Sequence, residues 1–304
     1  MPKLIMLIGL PGSGKSTVAK AYIDCAVHSS DEVRQRLYGS AEVQDNPQKV
    51  FELLEKEIFE DLGKGVSCIY DATNLSYKRR KDFVSRLQKK YPDVDRIAMV
   101  LTTPFEMCVT RNLQRERQVP YEVLLRMRER FDPPYYNEGW QYIVFIKQCV
   151  DTPIESMAEL IAYMQGVEQD NPHHSLDLLN HCLECYRCLL YCGKKPPDYV
   201  TLAALFHDFG KYYTKSFQDS KGKVSDIAHF YNHENVGSYE ILCRNFGISD
   251  EALLKASYIV RWHMLPYVWE KDNNTRLHEK YKTLWGEELY KDIMWVHEAD
   301  RLAH

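Results

Sequence analysis

A glycine-rich stretch near the start of the chain contains residue types that can hold a phosphate chain. The stretch GLPGSGKST, residues 9–17, matches the pattern G-x-x-x-x-G-K-[ST]. Glycines let main-chain N–H groups turn toward phosphate oxygens, and the N-terminus of the helix that follows attracts anions. We expect Lys15 to reach the β- and γ-phosphates and the Ser16 hydroxyl to ligate Mg²⁺. The stretch therefore predicts a nucleoside triphosphate site formed by Gly9, Gly12, Ser13, Gly14, Lys15, Ser16 and Thr17.

Charged residues after this stretch can complete a phosphotransferase site. Asp31 can accept a proton from an attacking hydroxyl, and Arg34 can hold an anionic acceptor, although SSDE (29–32) is also a good helix cap. Asp71 lies at the end of a predicted strand and can assist Mg²⁺, with a turn-forming role as the alternative. Residues 78–130 contain fourteen Lys and Arg against seven Asp and Glu. This excess predicts a basic lid with Arg111 and Arg115 at the nucleotide; a solvated helix face is the alternative.

Histidines and aspartates in the second half of the chain have the residue types of a metal site. All but one of the eleven histidines follow residue 170. His207 and Asp208 are adjacent in FHDFGK (206–211), and the other candidates are His181, His229, His233, His263 and Asp300. Neutral imidazoles with carboxylates suit Mn²⁺, Fe²⁺, Zn²⁺, Co²⁺ or Ni²⁺. A bridging carboxylate at Asp208 can hold two such ions, which together activate a water.

The elements predicted from hydropathy place these residues in two domains. Apolar runs predict buried strands, and helical spacing predicts the helices between them; the strands are 4–8, 66–71, 96–103 and 142–147, and the helices are 15–24 and 46–65. Strands that alternate with helices indicate a parallel sheet. After residue 150 the spacing is helical throughout. We therefore predict an α/β P-loop domain with a helical lid over residues 1–165, followed by an all-α domain over residues 166–304.

Four fragments within residues 1–130 resemble the phage-type 5′-hydroxyl polynucleotide kinases: GLPGSGKST, SDEVR, ATNLSYKRR and RNLQRERQVPYEVLLRM. The resemblance implies that Asp31 is the general base, that Arg34 contacts the acceptor end and that Arg115 is the catalytic arginine of the lid. The chain departs from that family at Ser30, where the phage enzyme has a basic residue, and at Ala72, where an acid is frequent. The implied cofactor is ATP, or another nucleoside triphosphate, with Mg²⁺.

The histidine and aspartate pattern over residues 166–304 resembles the HD phosphohydrolase superfamily, in particular the HD domains attached to tRNA nucleotidyltransferases. The resemblance implies a first metal held by His181, His207, Asp208 and Asp300. It implies a second metal held by His233 and His263, with Asp208 bridging the two. Lys211 would contact a substrate phosphate, and His229 has no assigned position in the pattern. One or two divalent transition metals are therefore expected.

The cysteine run CLECYRCLLYC, residues 182–192, has the spacing of an iron–sulfur site. The same spacing places cysteines in a stripe along one helix, and the intervening residues favour a helix. Cysteines in such a stripe lie too far apart along the helix axis to surround one cluster. We therefore expect Cys182, Cys185, Cys188 and Cys192 to be free thiols on a helix.

These features together predict a bifunctional end-healing enzyme. The first domain would phosphorylate 5′-hydroxyl ends of DNA or RNA, and the second would remove 2′,3′-cyclic, 2′- or 3′-phosphates, so that a ligase can act afterwards. The alternatives are a nucleoside or small-metabolite kinase fused to an HD nucleotidase, and a regulatory HD protein gated by ATP. The net charge of −4 excludes a generally basic coat protein. Nine cysteines without a signal sequence or long apolar run predict a cytoplasmic protein without a membrane partner.

Overall fold

The computed structural model describes residues 1–43, 45–147, 157–172, 175–191 and 195–303. The chain divides into two compact units, Met1–Met127 with Pro134–Val150 and Arg128–Pro133 with Asp151–His304. The predicted domain boundary after residue 165 stays a prediction. A search of the described residues finds no helix with the length and apolar character needed to cross a membrane.

The first unit is built on a parallel sheet of five strands with the order β2-β3-β1-β4-β5 among the described residues. The strands are β1 (Lys3–Ile8), β2 (Ala26–Ser29), β3 (Cys68–Asp71), β4 (Asp95–Thr102) and β5 (Tyr142–Lys147). The predicted parallel α/β sheet is therefore confirmed. Edge strand β2 is an addition to the prediction, because four half-exposed residues give no buried apolar run.

Helices cover this sheet and include the predicted lid. They are α1 (Lys15–Ala21), α2 (Ser30–Tyr38), α3 (Pro47–Gly63), α4 (Tyr77–Lys90), α5 (Phe105–Leu113) and α6 (Tyr121–Arg128), and a single 3₁₀ turn spans Tyr136–Glu138. Helix α3 shows why the spacing is informative. Its residues Val50, Leu54, Ile58 and Leu62 are all buried and recur every four positions, which gives one apolar face.

The sheet register brings the ends of three strands to one edge. Leu7 of β1 and Ser29 of β2 both lie level with Asp71 of β3. Strand β1 is followed by the loop of residues 9–14, and strand β2 is followed directly by helix α2. In parallel sheets ligands bind at the carboxyl ends of the strands, so this register positions the candidate nucleotide site.

The second unit is helical, as predicted. Its helices are α7 (Met157–Met164), α8 (Leu178–Tyr191), α9 (Asp198–Phe206), α10 (Lys211–Thr214), α11 (His233–Leu242), α12 (Asp250–Trp262), α13 (Leu265–Lys271) and α14 (Thr275–Leu302). One departure from an all-α unit is an antiparallel hairpin of β6 (Lys215–Gln218) and β7 (Val224–Phe230). Hydropathy did not predict the hairpin, because its strands mix polar with apolar residues and only Ala228 is buried.

The cysteine run lies on helix α8, which confirms the helix prediction. Cys182 and Cys185 are buried, and Cys188 is half-buried. Burial raises the pKa of the Cys182 thiol to about 12, so it stays protonated at neutral pH. Cys192 lies outside the described residues.

Candidate nucleotide site and metal centre

The glycine-rich stretch forms a tight loop before helix α1. Gly12 and Gly14 have φ values of 81° and 93°, a region that other residues rarely adopt. Gly12 also faces the carbonyl oxygen of Cys108 so closely that a side chain has no space there. The loop therefore depends on glycine at both positions.

Ser16 and Asp71 meet at the start of helix α1. The Ser16 hydroxyl donates a hydrogen bond to Asp71 Oδ2 at 3.1 Å. A hydroxyl beside a carboxylate at the carboxyl edge of the sheet is a suitable donor set for Mg²⁺ with phosphates. This pairing favours the Mg²⁺ role of Asp71 over a role in the turn alone.

The Lys15 ammonium occupies the inside of the loop. Its Nζ donates to the carbonyl oxygens of Gly9 at 3.0 Å and Leu10 at 2.8 Å. Burial lowers the pKa of Lys15 to about 8, and the Asp71 charge partly opposes that shift. Lys15 is therefore positioned to exchange carbonyl partners for phosphate oxygens.

The loop opens onto a cavity of about 620 Å³. Five cationic and two anionic side chains line it: Lys15, Arg34, Arg111, Arg115 and Arg117, with Asp31 and Asp71. The predicted residues Gly12, Gly14, Ser16 and Thr17 line it as well. Gly9 and Ser13 do not; the Gly9 N–H donates to the Thr73 carbonyl, and Ser13 is fully buried. Their contribution is to the shape of the loop.

Asp31 directs its carboxylate toward basic side chains. The cap of helix α2 is Ser29, whose hydroxyl accepts from the Asp31 N–H at 3.3 Å. The Asp31 side chain is thereby released from a capping role. Its Oδ1 lies 3.1 Å from Nη1 of Arg34 and 3.1 Å from Nη1 of Arg117. Arg117 was not among the predicted site residues, because it is one of several arginines in RNLQRER.

Four of the predicted metal ligands in the second unit form a first buried group. Nε2 of His181 lies 3.2 Å from Nε2 of His207 and 3.0 Å from Asp300 Oδ1. Asp208 Oδ2 lies 3.4 Å from both imidazole nitrogens. Two imidazole nitrogens so close to each other and to two carboxylates require a proton or a metal ion between them.

His233 and His263 form a second group around the other oxygen of Asp208. Their Nε2 atoms lie 3.2 Å and 3.5 Å from Asp208 Oδ1. Asp208 therefore touches both groups, as expected of a bridging ligand. The six residues His181, His207, Asp208, His233, His263 and Asp300 are each at most 6% exposed.

Main-chain carbonyls set the orientation of three of these histidines. Nδ1 of His207, His233 and His263 each lies within 2.8 Å of the carbonyl oxygen three residues earlier, on Ala204, Phe230 and Val260. A carbonyl only accepts, so each Nδ1 carries the hydrogen. In the neutral ring, the Nε2 lone pair then faces the carboxylate of Asp208. Acceptors that face one another in a buried site suit a divalent cation, so the residues present fit a metal centre.

The ionisation states of the aspartates and of His207 follow from the short distances between their side chains. Burial alone would raise the pKa of the Asp208 carboxyl, but the charges of Lys211 and His207 hold it well below its ordinary value. Burial alone would lower the pKa of His207, but Asp208 and Asp300 raise it well above its ordinary value. Burial alone would also raise the pKa of the Asp300 carboxyl, but the His207 charge holds it well below its ordinary value. Both carboxylates are therefore ionised, as metal ligation requires.

Residues around the metal ligands hold them in place. Lys211 Nζ lies 2.7 Å from Asp208 Oδ2 and donates to Gln169 Oε1 at 2.8 Å, and Tyr267 donates to Asp300 Oδ2 at 3.0 Å. Gln169 and Tyr267 carry no motif that sequence alone could have identified. Gly210 passes so close to the carbonyl oxygen of His233 that a side chain has no space there.

His229 lies outside both groups. It is on β7, where its ring stacks on Tyr231 with centroids 5.4 Å apart and an interplanar angle of 7°. Its Nε2 lies 3.3 Å from the Ser225 hydroxyl. The two buried groups around Asp208 are thus assembled without His229.

Comparisons with known proteins match the two halves separately. A family model described as AAA domain matches residues 4–134, and a model described as HD domain matches residues 178–304. The first half of the chain is therefore similar to AAA-type P-loop domains, and the second half is similar to HD domains. Both domains have the fold expected from the sequence, a parallel sheet with flanking helices and a helical unit.

Curated relatives also match one half each. One match is L-seryl-tRNA(Sec) kinase of Methanococcus maripaludis. The alignment is 29% identical and covers 45% of this chain and 55% of that protein. Another match is the CC-adding tRNA nucleotidyltransferase of Thermus thermophilus. This alignment is 30% identical and covers 47% of this chain and 31% of that protein. The chain thus spans about half of the first relative and about a third of the second.

Solved structures show more distant likeness. The structure of the Pnkp1/Rnl/Hen1 RNA repair complex is 25% identical, with a TM-score of 0.35 over 43% of this chain and 46% of that chain. A gluconokinase from Sinorhizobium meliloti 1021 is 18% identical, with a TM-score of 0.35 over 52% of this chain and 86% of that chain. At such TM-scores neither structure informs the function.

Proposed function

We propose that this chain heals nucleic-acid ends. The kinase domain would add phosphate to a 5′-hydroxyl, and the HD domain would remove a 2′,3′-cyclic, 2′- or 3′-phosphate. The observation that carries the first half is that Asp31 lines the same cavity as Lys15 and Ser16. An acceptor hydroxyl can therefore lie between a base and the bound phosphates.

Two further observations support a nucleic-acid acceptor. The cavity has five cationic side chains against two carboxylates, which favours a polyanion. Two of the curated relatives, one for each half of the chain, are named for tRNA, which supports RNA as a substrate class. A downstream ligase would then be the expected partner reaction, because healed ends are the substrates of ligation.

The kinase step would use the residues of the cavity in distinct roles. Lys15 holds the β- and γ-phosphates, and Ser16 with Asp71 holds the Mg²⁺, which neutralises phosphate charge when bound. The 5′-hydroxyl oxygen bonds to the γ-phosphorus as the bond from that phosphorus to the β–γ bridging oxygen breaks. Asp31 takes the hydroxyl proton. Arg115 stabilises the charge on the transferring group.

The HD step would use the two buried groups that share Asp208. The first metal would be held by His181, His207, Asp208 and Asp300, and the second by His233, His263 and Asp208. Bound divalent ions supply an activated water and stabilise the leaving alkoxide. Lys211, already beside Asp208, would hold a non-bridging oxygen of the substrate phosphate.

The test of the kinase half is transfer of label from γ-labelled ATP to short 5′-hydroxyl DNA and RNA, beside a panel of nucleosides. Label on the oligonucleotide, absent in Lys15→Ala and reduced by about 10²–10⁴-fold in Asp31→Asn, would support the proposal. Glu32→Gln is the control, because Glu32 is exposed on the same helix and does not line the cavity. Label on nucleosides alone would replace the proposal by a nucleoside kinase.

The test of the HD half is phosphate release from oligonucleotides with defined 3′ ends. The protein is loaded in turn with Mn²⁺, Co²⁺, Ni²⁺ or Zn²⁺, and each end chemistry is assayed separately. Release that requires Asp208 and a metal would support a phosphoesterase. ATP binding without transfer at the loop, together with ATP-dependent phosphate release, would instead support a regulatory HD protein.

A further inference from the structure

Lysines and aromatic rings alternate along a row that leads away from Asp208 in the second unit. Lys211 Nζ lies 2.7 Å from Asp208 Oδ2 and 5.3 Å from the ring centroid of Phe230. Phe230 on β7 is level with Lys215 on β6, and Lys215 Nζ lies 5.7 Å from the ring centroid of Phe217. The lysine–aromatic row therefore begins at a buried lysine beside the candidate metal ligands and ends at Phe217, which is 45% exposed.

One short segment before helix α8 holds both lysines of the row. Lys211 Nζ donates to Gln169 Oε1 at 2.8 Å, and the next residue, Asp170, accepts from Lys215 Nζ through Oδ2 at 2.6 Å. Lys211 begins helix α10 and Lys215 follows its last residue, so the two lie about 6 Å apart along the helix axis. That spacing is comparable with the distance between successive phosphates of one nucleic-acid strand.

The chemistry of the row suits a single strand with exposed bases. Lysine binds phosphate as a point charge, and aromatic rings stack bases of any sequence. The Asp170 side chain is 45% exposed, and ion pairs at the surface contribute little, so a phosphate oxygen can replace its carboxylate at Lys215. Cations that alternate with rings favour a polyanion with planar bases over an apolar protein surface.

We propose that Lys215 and Phe217 form a subsite for the second nucleotide from the 3′ end of a single strand. Lys215 binds the phosphate between the last two nucleotides, and Phe217 stacks on the base of the second. The inference rests on the proposed phosphoesterase, which places the terminal phosphate at Lys211. The strand then follows the hairpin outward, and an oligonucleotide end becomes a better substrate than a single nucleotide.

The experiment compares phosphate release from a nucleoside 3′-monophosphate and from a short single-stranded oligonucleotide with a 3′-phosphate. Both are assayed without ATP, on protein loaded with the metal ion that gives the fastest release. In the wild type, KM should be lower for the oligonucleotide. Phe217→Ala should raise that KM by roughly 5–100-fold, as loss of one stacked base implies, whereas Phe217→Trp should retain the low value.

Two comparisons separate this effect from damage to the fold. Phe217→Ala should change neither KM for the monophosphate, which does not reach the subsite, nor the metal content after dialysis. Tyr191→Ala is the control for loss of an exposed ring, because Tyr191 is 87% exposed at the end of helix α8. It should leave KM for both substrates unchanged.

The charges at Lys215 give two expected results of opposite sign. Lys215→Gln should raise KM for the oligonucleotide and reduce the slope of log KM against log salt by about 0.7, the value for one phosphate on a single strand. Asp170→Asn should lower that KM, because it removes the competing carboxylate. Asparagine also tolerates the left-handed backbone at this position, where φ is 44°. Lys291→Gln is the control, because Lys291 is an exposed lysine that pairs with Glu287 on α14.

The other outcomes overturn the inference in distinguishable ways. Equal KM values for the two substrates in the wild type would mean that no second nucleotide is bound, while the phosphoesterase proposal stands. Equal losses with both substrates in Phe217→Ala, or loss of metal, would make Phe217 a structural residue of the hairpin. An unchanged KM for the oligonucleotide in Phe217→Ala or Lys215→Gln would contradict the subsite. A wild-type protein that releases phosphate from neither substrate would remove both proposals.

Discussion

At the scale of single residues, Lys15 links the geometry of the phosphate loop to pH. Burial lowers its pKa to about 8, below the ordinary 10.5. Above that pH the nucleotide-free protein loses the Lys15 charge. Bound phosphates favour the charged form and raise the pKa again, because opposite charges stabilise one another. Binding of ATP above the lowered pKa must therefore take up a proton.

This linkage gives a calorimetric prediction. At about pH 9, ATP binding should take up close to one proton, and at about pH 7 almost none, because Lys15 is already charged there. The measurement is titration calorimetry in two buffers of different ionisation enthalpy. Lys15→Arg should abolish the uptake, since arginine stays charged throughout. Equal uptake in the arginine variant would assign the proton to another group.

The shared carboxylate of Asp208 gives a second prediction at the same scale. Asp208→Asn should lose metal from both groups, whereas His263→Gln should lose metal from the second group alone. The measurement is metal content after dialysis, by mass spectrometry, on the loaded protein. Glu184→Gln is the control, because it removes a carboxylate of α8 that pairs with Arg187 and belongs to neither group. Full metal retention in Asp208→Asn would contradict a bridging role.

At the scale of elements, helix α11 combines a metal ligand with a buried ion-pair network. The helix begins at His233 and carries Glu240, which is 0% exposed. Glu240 lies 3.0 Å from Arg128 and 2.9 Å from Arg244, both also buried. Within the second unit, the network holds the segment Arg128–Pro133 against helix α11, where Phe131 packs on Tyr239.

Removal of that central carboxylate should destabilise the second unit strongly. Glu240→Ala takes the carboxylate away from two buried guanidiniums, which costs about 3–5 kcal/mol of unfolding free energy. Glu288→Ala breaks an exposed pair with Lys255 and should cost less than about 1 kcal/mol. Tryptophan fluorescence during urea unfolding measures the effect, since four of the five tryptophans follow residue 260. Equal costs would contradict a structural role for the network.

At the scale of the whole molecule, each unit holds all the described residues of its own site. The candidate nucleotide cavity is lined by residues up to Met127, and the six proposed metal ligands run from His181 to Asp300. The proposed reactions share no residue and no cofactor. The two chemistries should therefore be separable by mutation.

Reciprocal variants test that separation. Lys15→Ala should abolish label transfer and leave phosphate release from 3′ ends within about twofold of the wild type, and Asp208→Asn should do the reverse. Both activities are measured on one preparation of each variant, with Mg²⁺ and a transition metal present. Loss of both activities in a variant that keeps its metal and its fold would show that the sites are coupled.

Sequence patterns predicted those features that depend on local regularity. Strands β1, β3, β4 and β5 follow from continuous apolar runs. The residue types indicated a metal site, whereas the choice of six ligands and their division into two groups was implied by the resemblance to the HD superfamily. Sequence did not identify Arg117 or Gln169. Arginines in RNLQRER look alike until two hydrogen bonds between Asn112 and Val119 close the loop, and a single glutamine forms no pattern until folding brings Lys211 within 2.8 Å. A side chain whose role depends only on tertiary contacts produces no periodic pattern in the sequence, so sequence analysis cannot identify it.

The close passage of Gly210 beneath helix α11 has a consequence for how substitutions are tolerated. Its backbone is ordinary helix, so its requirement is for space rather than for an unusual dihedral angle. Any larger side chain would push against the backbone of His233 and Gly237 and displace a metal ligand. In a library of all single substitutions, position 210 should therefore tolerate replacement as poorly as the six proposed metal ligands do. A glycine that touches neither metal nor substrate would then share the mutational profile of an active-site residue.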